Sequence, residues 1–216
     1  MTDIVVVSTH LAAPTADICK ASVRAQRGCG DVRHIVTDAG EQRPPKTVVE
    51  NVIAMVRPLP DETVVAWVDA DDHLAHRDVL AGAVKLHEAG AWVTYGSFMR
   101  YSGEVVVCRP YQAAPRDEPW FASHLRTFKA GLFKKLKDSD LQLNCLWVSL
   151  GVDQAIMLPL IELAGLDRTV AVPDVRLIYN DGHAWERTAS DADLARERKS
   201  VELIRGKPRY ARLEAL

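Results

Sequence analysis

The run Val64-Val65-Ala66-Trp67-Val68-Asp69-Ala70-Asp71-Asp72-His73 constrains this chain more than any other stretch. Its first half has the composition of a buried strand, and it ends in three carboxylates within four residues. Carboxylates at that spacing repel one another, so clustering them costs free energy unless a positive charge lies among them. A hard divalent cation with oxygen ligands, Mg²⁺ or Mn²⁺, meets that need. The same residues also suit an exposed turn whose Asp caps a helix over residues 76–89.

The neighbouring segments say what kind of sheet the strand belongs to. Residues 4–8 and 32–37 are further β-branched runs, and residues 92–99 and 104–109 read as strands around a turn at Ser102-Gly103. Between them lie helical patterns. One opens at Pro14-Thr15 and stops before Gly28 and Gly30, and one follows Pro44-Pro45 over residues 46–56. A third covers residues 76–89 and ends at Gly90. Strand and helix alternate, which predicts an α/β fold with a mostly parallel sheet and helices on both faces. The second half is expected to be more helical. Leu125, Phe128, Leu132 and Leu136 recur at three- and four-residue spacing, predicting a helix over residues 124–137. Helices are also predicted over 151–164, with Pro159 inside, and over 191–204, around a short strand pair at 169–172 and 175–178 broken by Pro173. With 216 residues and no clean linker, one domain is expected, residues 1–109 forming a nucleotide half and residues 110–216 an acceptor half.

Composition excludes several classes. A net charge of −2 offers no global polycation for nucleic acid or a membrane surface. No apolar run is long enough to span a bilayer, and nothing resembles a signal peptide, so a cytoplasmic location is expected. Cys19, Cys29, Cys108 and Cys145 form no C-x-x-C pair and read as reduced thiols without a zinc site. Gly28-Cys29-Gly30 lacks a third glycine and follows a helix, so it is a stop signal, and no P-loop is present. His73 and His76 have a spacing that metals accept, but an ordinary helix start explains them.

In open parallel sheets, ligands bind beyond the carboxyl ends of the strands. Ser8-Thr9-His10, Asp38 and Asp69-Ala70-Asp71-Asp72 all fall at such ends. If the three strands are neighbours, these groups line one crevice suited to a nucleotide and a metal.

In order, these segments resemble a family 2 glycosyltransferase with a GT-A fold. Ile35-Val36-Thr37-Asp38-Ala39-Gly40 is similar to the family's V-D-D-G-S segment, and Asp69-Ala70-Asp71-Asp72 to its D-x-D motif. The likeness continues through Trp92-Val93-Thr94-Tyr95-Gly96, His124-Leu125-Arg126-Thr127-Phe128-Lys129 and Val152-Asp153-Gln154-Ala155. The later segments look like small phage and viral members. The resemblance implies a metal-dependent, inverting transfer from a nucleotide-diphosphate sugar to an acceptor hydroxyl. Asp38 would contact the base, with Ala39 standing where the family often has a second Asp. Ser8, Thr9, His10, Asp69 and Arg126 would contribute to donor binding. Asp69, Asp71, Asp72 and His183 would hold Mn²⁺ or Mg²⁺ on the diphosphate, which neutralises the leaving group. Asp153 would be the general base. The Q-x-x-R-W motif of processive members is absent.

Read without the resemblance, Asp38 also suits a turn, Asp153 a first-turn helix acid, and His183 a solvated loop residue. Trp120 and Trp185 sit in connectors, where they serve either packing or stacking of an acceptor. The basic segment 126–137 and the cations Arg205, Lys207, Arg209 and Arg212 leave two acceptors open. One is a hydroxymethylated base in phage DNA, whose backbone they would track. The other is a saccharide or small molecule. A sugar nucleotidyltransferase, which releases pyrophosphate, is a further alternative.

Overall fold

Ile4–His10 (β1), Arg33–Asp38 (β2) and Val64–Trp67 (β3) lie side by side and parallel, with β1 in the middle. The computed structural model describes residues 2–10, 16–38, 46–183 and 189–216, and of His10, Asp38 and His183 the backbone alone. The expected helix start at Pro14-Thr15, the Ala39-Gly40 turn, Pro44-Pro45 and Trp185 lie outside the described residues. Strand alternation sorts the core into two clusters. Val5, Val7, Val65 and Trp67 face one layer of helices, and Ile4, Val6, Val64, Ala66 and Val68 face the other.

Ala16–Arg24 (α1) and Val79–Glu88 (α3) cover the second face; Val48–Val56 (α2) and Val152–Ala164 (α5) cover the first. The start of α2 is fixed by a capping box, with Thr47 and Glu50 each bonding the other's backbone N–H. Glycines stop the chain where expected: Gly28 and Gly30 follow α1 with φ of 70° and 74°, a region favouring glycine.

The sheet is mixed, not mostly parallel. Its order is β2-β1-β3-β7-β5-β10-β4, with β4 at His73–Leu74, β5 at Val93–Arg100, β7 at Arg126–Lys129 and β10 at Thr169–Tyr179; β6, Val105–Val106, pairs with β5. The antiparallel insertion of β7 between β3 and β5 replaces most of the helix expected over 124–137. Only Ala130–Phe133 (α4) is helical there. Arg126-Thr127-Phe128 is buried because neighbouring strands flank it on both sides, and the ladder bonds they offer outweigh a local helical preference. The strand pair expected around Pro173 is one strand, β10, parallel to β5, with register shifts on either side of Val175. Pro173 lacks an N–H, and the irregularity accommodates it without ending the strand. Past a small hairpin of Gln142–Leu143 (β8) and Leu146–Trp147 (β9), α5 includes Pro159, and Asp191–Arg205 (α6) packs against α5. No described helix is long and apolar enough to cross a membrane.

One buried ion pair ties the connector after β6 to α5 and α6. Arg116 Nε and Nη2 donate to the Glu162 carboxylate at 2.6 and 3.1 Å, and Nη1 donates to the Ile204 carbonyl at 2.5 Å. Both side chains are at most 5% exposed. Arg116→Ala leaves the Glu162 charge buried without its partner, so a loss of about 3–5 kcal/mol is expected by chemical denaturation. A loss below about 1 kcal/mol would show that water reaches Glu162 freely.

Candidate functional site

The site follows from strand register. In the antiparallel β3–β7 pair, Trp67 lies across from Arg126. Continuing that register by two residues sets Asp69 across from His124. In the β10–β4 pair, Leu177 lies across from Leu74 and Ile178 from His73, and the next step brings Asp72 to Tyr179 and Asn180. Three strand ends thus deliver Asp69, Asp72 and His124 to one place, and one donor atom from each lies within 4.8 Å of the others.

Each member of the group is held by a specific contact. Asp72 is 1% exposed; its Oδ1 accepts from the Asn180 N–H at 2.8 Å, and its Oδ2 is buried with no hydrogen-bond partner. Burial, and then the neighbouring Asp69 charge, hold its carboxyl well above the usual range. His124 Nδ1 lies 3.9 Å from Asp69 Oδ2 and 3.9 Å from Asp72 Oδ2. It also accepts from Arg126 Nη2 at 2.7 Å, which requires a neutral ring with its proton on Nε2. Burial, reinforced by the Arg126 charge, keeps the imidazole well below its ordinary pKa and so neutral; its Nδ1 lone pair is held by Arg126, and a metal would take that lone pair in place of the Arg126 bond. The His124 ring stacks on Tyr179, centroids 5.3 Å apart. Arg126 is itself buried, with its guanidinium 4.2 Å from the centroid of the Trp67 indole and bonded to Asp69 Oδ2 at 3.0 Å.

Trp67, Asp69, His124, Arg126 and Tyr179 line a cleft of about 430 Å³ together with Val48 of α2, Gly151 and Asp153 at the start of α5, and Glu197 of α6; Asp72 is not among its lining residues. That volume falls within the roughly 300–1,000 Å³ of small-molecule sites. Gly151 takes a left-handed φ of 72° at the N-cap of α5, and Asp153 lies in the helix's first turn. Its Oδ1 accepts from the Gln154 N–H at 2.8 Å. Burial raises the Asp153 pKa against the opposing pull of Arg126, so the carboxylate is a better base than an exposed one.

The other residues expected from the sequence are distributed as follows. Asp71 is half-buried and is not a member of the Asp69–Asp72–His124 group. Ser8 is fully buried on the α1 face, opposite the cleft, and bonds His34 Nε2 at 2.9 Å. Thr9 is nearly buried, and its carbonyl accepts from Ala70 N–H at 3.3 Å. The side chains of His10, Asp38 and His183 lie outside the described residues, although β1 and β2 run in register to the pair His10–Asp38. Nothing local in the sequence marks His124 as a ligand, because the residues around it read as the start of a helix.

The basic segments do not form an open track. Lys129 pairs with Glu62 at 2.7 Å, Lys134 with Asp61 at 2.6 Å and Arg212 with Asp167 at 2.8 Å, and Arg209 pairs with Asp117. Lys207 Nζ donates to the carbonyls of Ser139, Asp140 and Gln142, and Arg205 to Gln154 and to the carbonyls of Arg116 and Glu118.

No family model and no curated protein sequence matches the chain. Among solved structures it is similar to residues 1–349 of S. aureus TarS in complex with UDP-GlcNAc, with a TM-score of 0.59, 13% identity and 94% of this chain covered. The crystal structure of S. aureus TarS gives 0.55 at 11% identity over 93% of this chain. A197 from STIV matches at 0.41 over 65% of this chain. The chain spans 65% of the TarS 1–349 structure and 39% of the longer one. The fold is GT-A glycosyltransferase-like.

Proposed function

We propose that this chain is a metal-dependent glycosyltransferase that moves a sugar from a nucleotide-diphosphate sugar to an acceptor hydroxyl with inversion. The observation that carries the proposal is the meeting of Asp69, buried Asp72 and His124, two of which, Asp69 and His124, line a cleft together with Asp153. The unpartnered Asp72 Oδ2 fits a cation, since a buried carboxylate oxygen without a donor is otherwise costly. A set of two carboxylates and one imidazole suits Mn²⁺ better than Mg²⁺, which prefers oxygen ligands alone. When bound, the cation supplies positive charge to the leaving diphosphate.

The chain's own groups supply the rest. Arg126 faces the same charge from its seat on Trp67, fixed in place before the donor arrives. The Asp153 carboxylate takes the proton of the acceptor hydroxyl as that oxygen bonds to the anomeric carbon. The bond from the anomeric carbon to the diphosphate oxygen breaks, and the nucleoside diphosphate leaves with the electron pair. Attack opposite the leaving group inverts the centre. Because most of the basic side chains, Lys129, Lys134, Arg205, Lys207, Arg209 and Arg212, already have partners within the chain, a small acceptor fits this site better than a DNA backbone.

Incubation with Mn²⁺ and a panel of nucleotide sugars that includes UDP-GlcNAc tests the reading. One donor should raise the melting temperature, by about 2.7 kcal/mol of stabilisation at one hundred times its Kd. With an acceptor it should release a nucleoside diphosphate at a rate insensitive to salt. Release of pyrophosphate would mark a nucleotidyltransferase, and a rate falling steeply with salt would restore the DNA acceptor.

A further inference from the structure

A second cavity of about 260 Å³ opens beyond Asp153, and Asp153, Gly151, Tyr179 and Glu197 line both spaces. A group seated there therefore lies beside the carboxylate that takes the proton. Its distinct wall comprises Phe98, Arg100, Trp120, Ser123 and Gln154. The geometry points to an acceptor subsite for an uncharged sugar or polyol, with Trp120 as the stacking surface and Glu197 and Gln154 as hydroxyl partners. This inference rests on the transferase reading of the adjoining cleft.

The lining chemistry selects that class. Tyr179 is flanked by the His124 ring and, at 5.7 Å, by the Arg100 guanidinium, and Phe98 is buried with its ring against His124 and Tyr179, which leaves Trp120, half-buried and packed on the core, as the ring without such a flank. The Ser123 hydroxyl makes no hydrogen bond among the described residues. Gln154 uses its Oε1 to accept from Arg205 Nε at 2.8 Å, so its amide NH₂ faces outward as a donor. Glu197 offers acceptor oxygens. Hydroxyl, amide, carboxylate and an apolar ring face are what a polyhydroxylated molecule needs, since every hydroxyl both donates and accepts.

Charge favours a neutral acceptor over an anionic one. Arg100 is the one cationic side chain among the described lining residues, and its Nε lies 3.1 Å from Glu104. Asp153 and Glu197 are the carboxylates of the described lining. A phosphodiester or phosphorylated acceptor would meet the Asp153 carboxylate with one described cation, Arg100, already paired to Glu104, whereas a neutral sugar meets no such barrier.

The test uses the full chain labelled with 5-fluorotryptophan, the Trp120 resonance being assigned through Trp120→Phe. The probes are methyl glycosides of glucose, galactose and N-acetylglucosamine, with glycerol 3-phosphate and a short oligodeoxynucleotide as anionic counterparts. At least one neutral glycoside should shift the Trp120 resonance saturably and accelerate nucleoside diphosphate release. Trp120→Ala should raise the KM for that glycoside tenfold or more, leave nucleotide-sugar Kd within twofold, and be largely rescued in Trp120→Phe. Glu197→Gln should raise the same KM without moving the acid limb of the pH profile. The inference is overturned if only an anionic probe shifts Trp120, if no neutral glycoside does, or if Trp120→Ala leaves the acceptor KM unchanged. Failure of every nucleotide sugar to bind the wild-type chain sinks the transferase reading instead, and the Trp120 resonance still reports on the saccharide site.

Discussion

Asp153→Asn is expected to lower sugar transfer by about 10²–10⁴-fold while nucleotide-sugar affinity stays within about twofold. The substitution is close to isosteric. The asparagine amide keeps an oxygen to accept the Gln154 N–H, so the first turn of α5 retains its geometry. What disappears is the group that accepts the acceptor's proton. The pH profile sharpens the test. Burial raises the Asp153 pKa, so the base becomes protonated, and activity falls, at a higher pH than an exposed carboxylate would give. That acid limb should be present in the wild type and absent from residual turnover in Asp153→Asn. Because the folded state favours the protonated, uncharged form, losing the charge should not lower stability at neutral pH. Transfer by the variant at the wild-type rate would transfer the base role to Glu197, the other carboxylate shared by the two cavities.

The parts of the fold that were legible in the sequence are those specified by local pattern. Runs of β-branched residues mark β1, β2 and β3, and the helices expected over 46–56 and 151–164 are α2 and α5. What could not be seen locally is β7. Phe128 faces the core with α2 and α5, and Leu125 faces the core with α1 and α3. Neighbours on both sides and helices on both faces erase the alternation that would identify a strand. The short helix after it adds Leu132, so the spacing mimics one continuous helix. With β7 invisible in the local pattern, His124 could not be placed beside Asp69, since the two meet only through β3–β7 pairing. The same pairing explains why the sheet is mixed and how Arg126, from the second half of the chain, comes to line the cleft beside Asp69. Ser8 shows the complementary limit. A polar residue at a strand end marks the crevice, but its parity in the strand decides which face it serves, and Ser8 serves the other one.

Asp72→Asn should abolish Mn²⁺-dependent nucleotide binding and at the same time stabilise the metal-free protein. The two effects share one cause. Asp72 is buried beside Asp69, with one oxygen satisfied by Asn180 and the other without a hydrogen-bond partner among the described residues. Its carboxyl is therefore held well above the usual range, so the folded state binds its proton more tightly than the unfolded chain does. Stability then falls as pH rises from about 3.9, the unfolded value, through the raised folded value, and at any pH above both the full penalty remains. Asparagine retains an oxygen for the Asn180 N–H and carries no charge, so this slope should vanish. A buried group without its partner costs about 1–3 kcal/mol, and each kcal/mol recovered is worth about 2–4 °C in Tm for a chain of this size. Mn²⁺ should reverse the ranking, stabilising the wild type and leaving the variant unmoved, because the ion binds only where the carboxylate is ionised. Thermal melts of both proteins with Mn²⁺ and with chelator, across this pH range, read all of these outcomes. An equal Mn²⁺-induced shift in the two proteins would remove Asp72 from the ligand set and leave its burial unexplained.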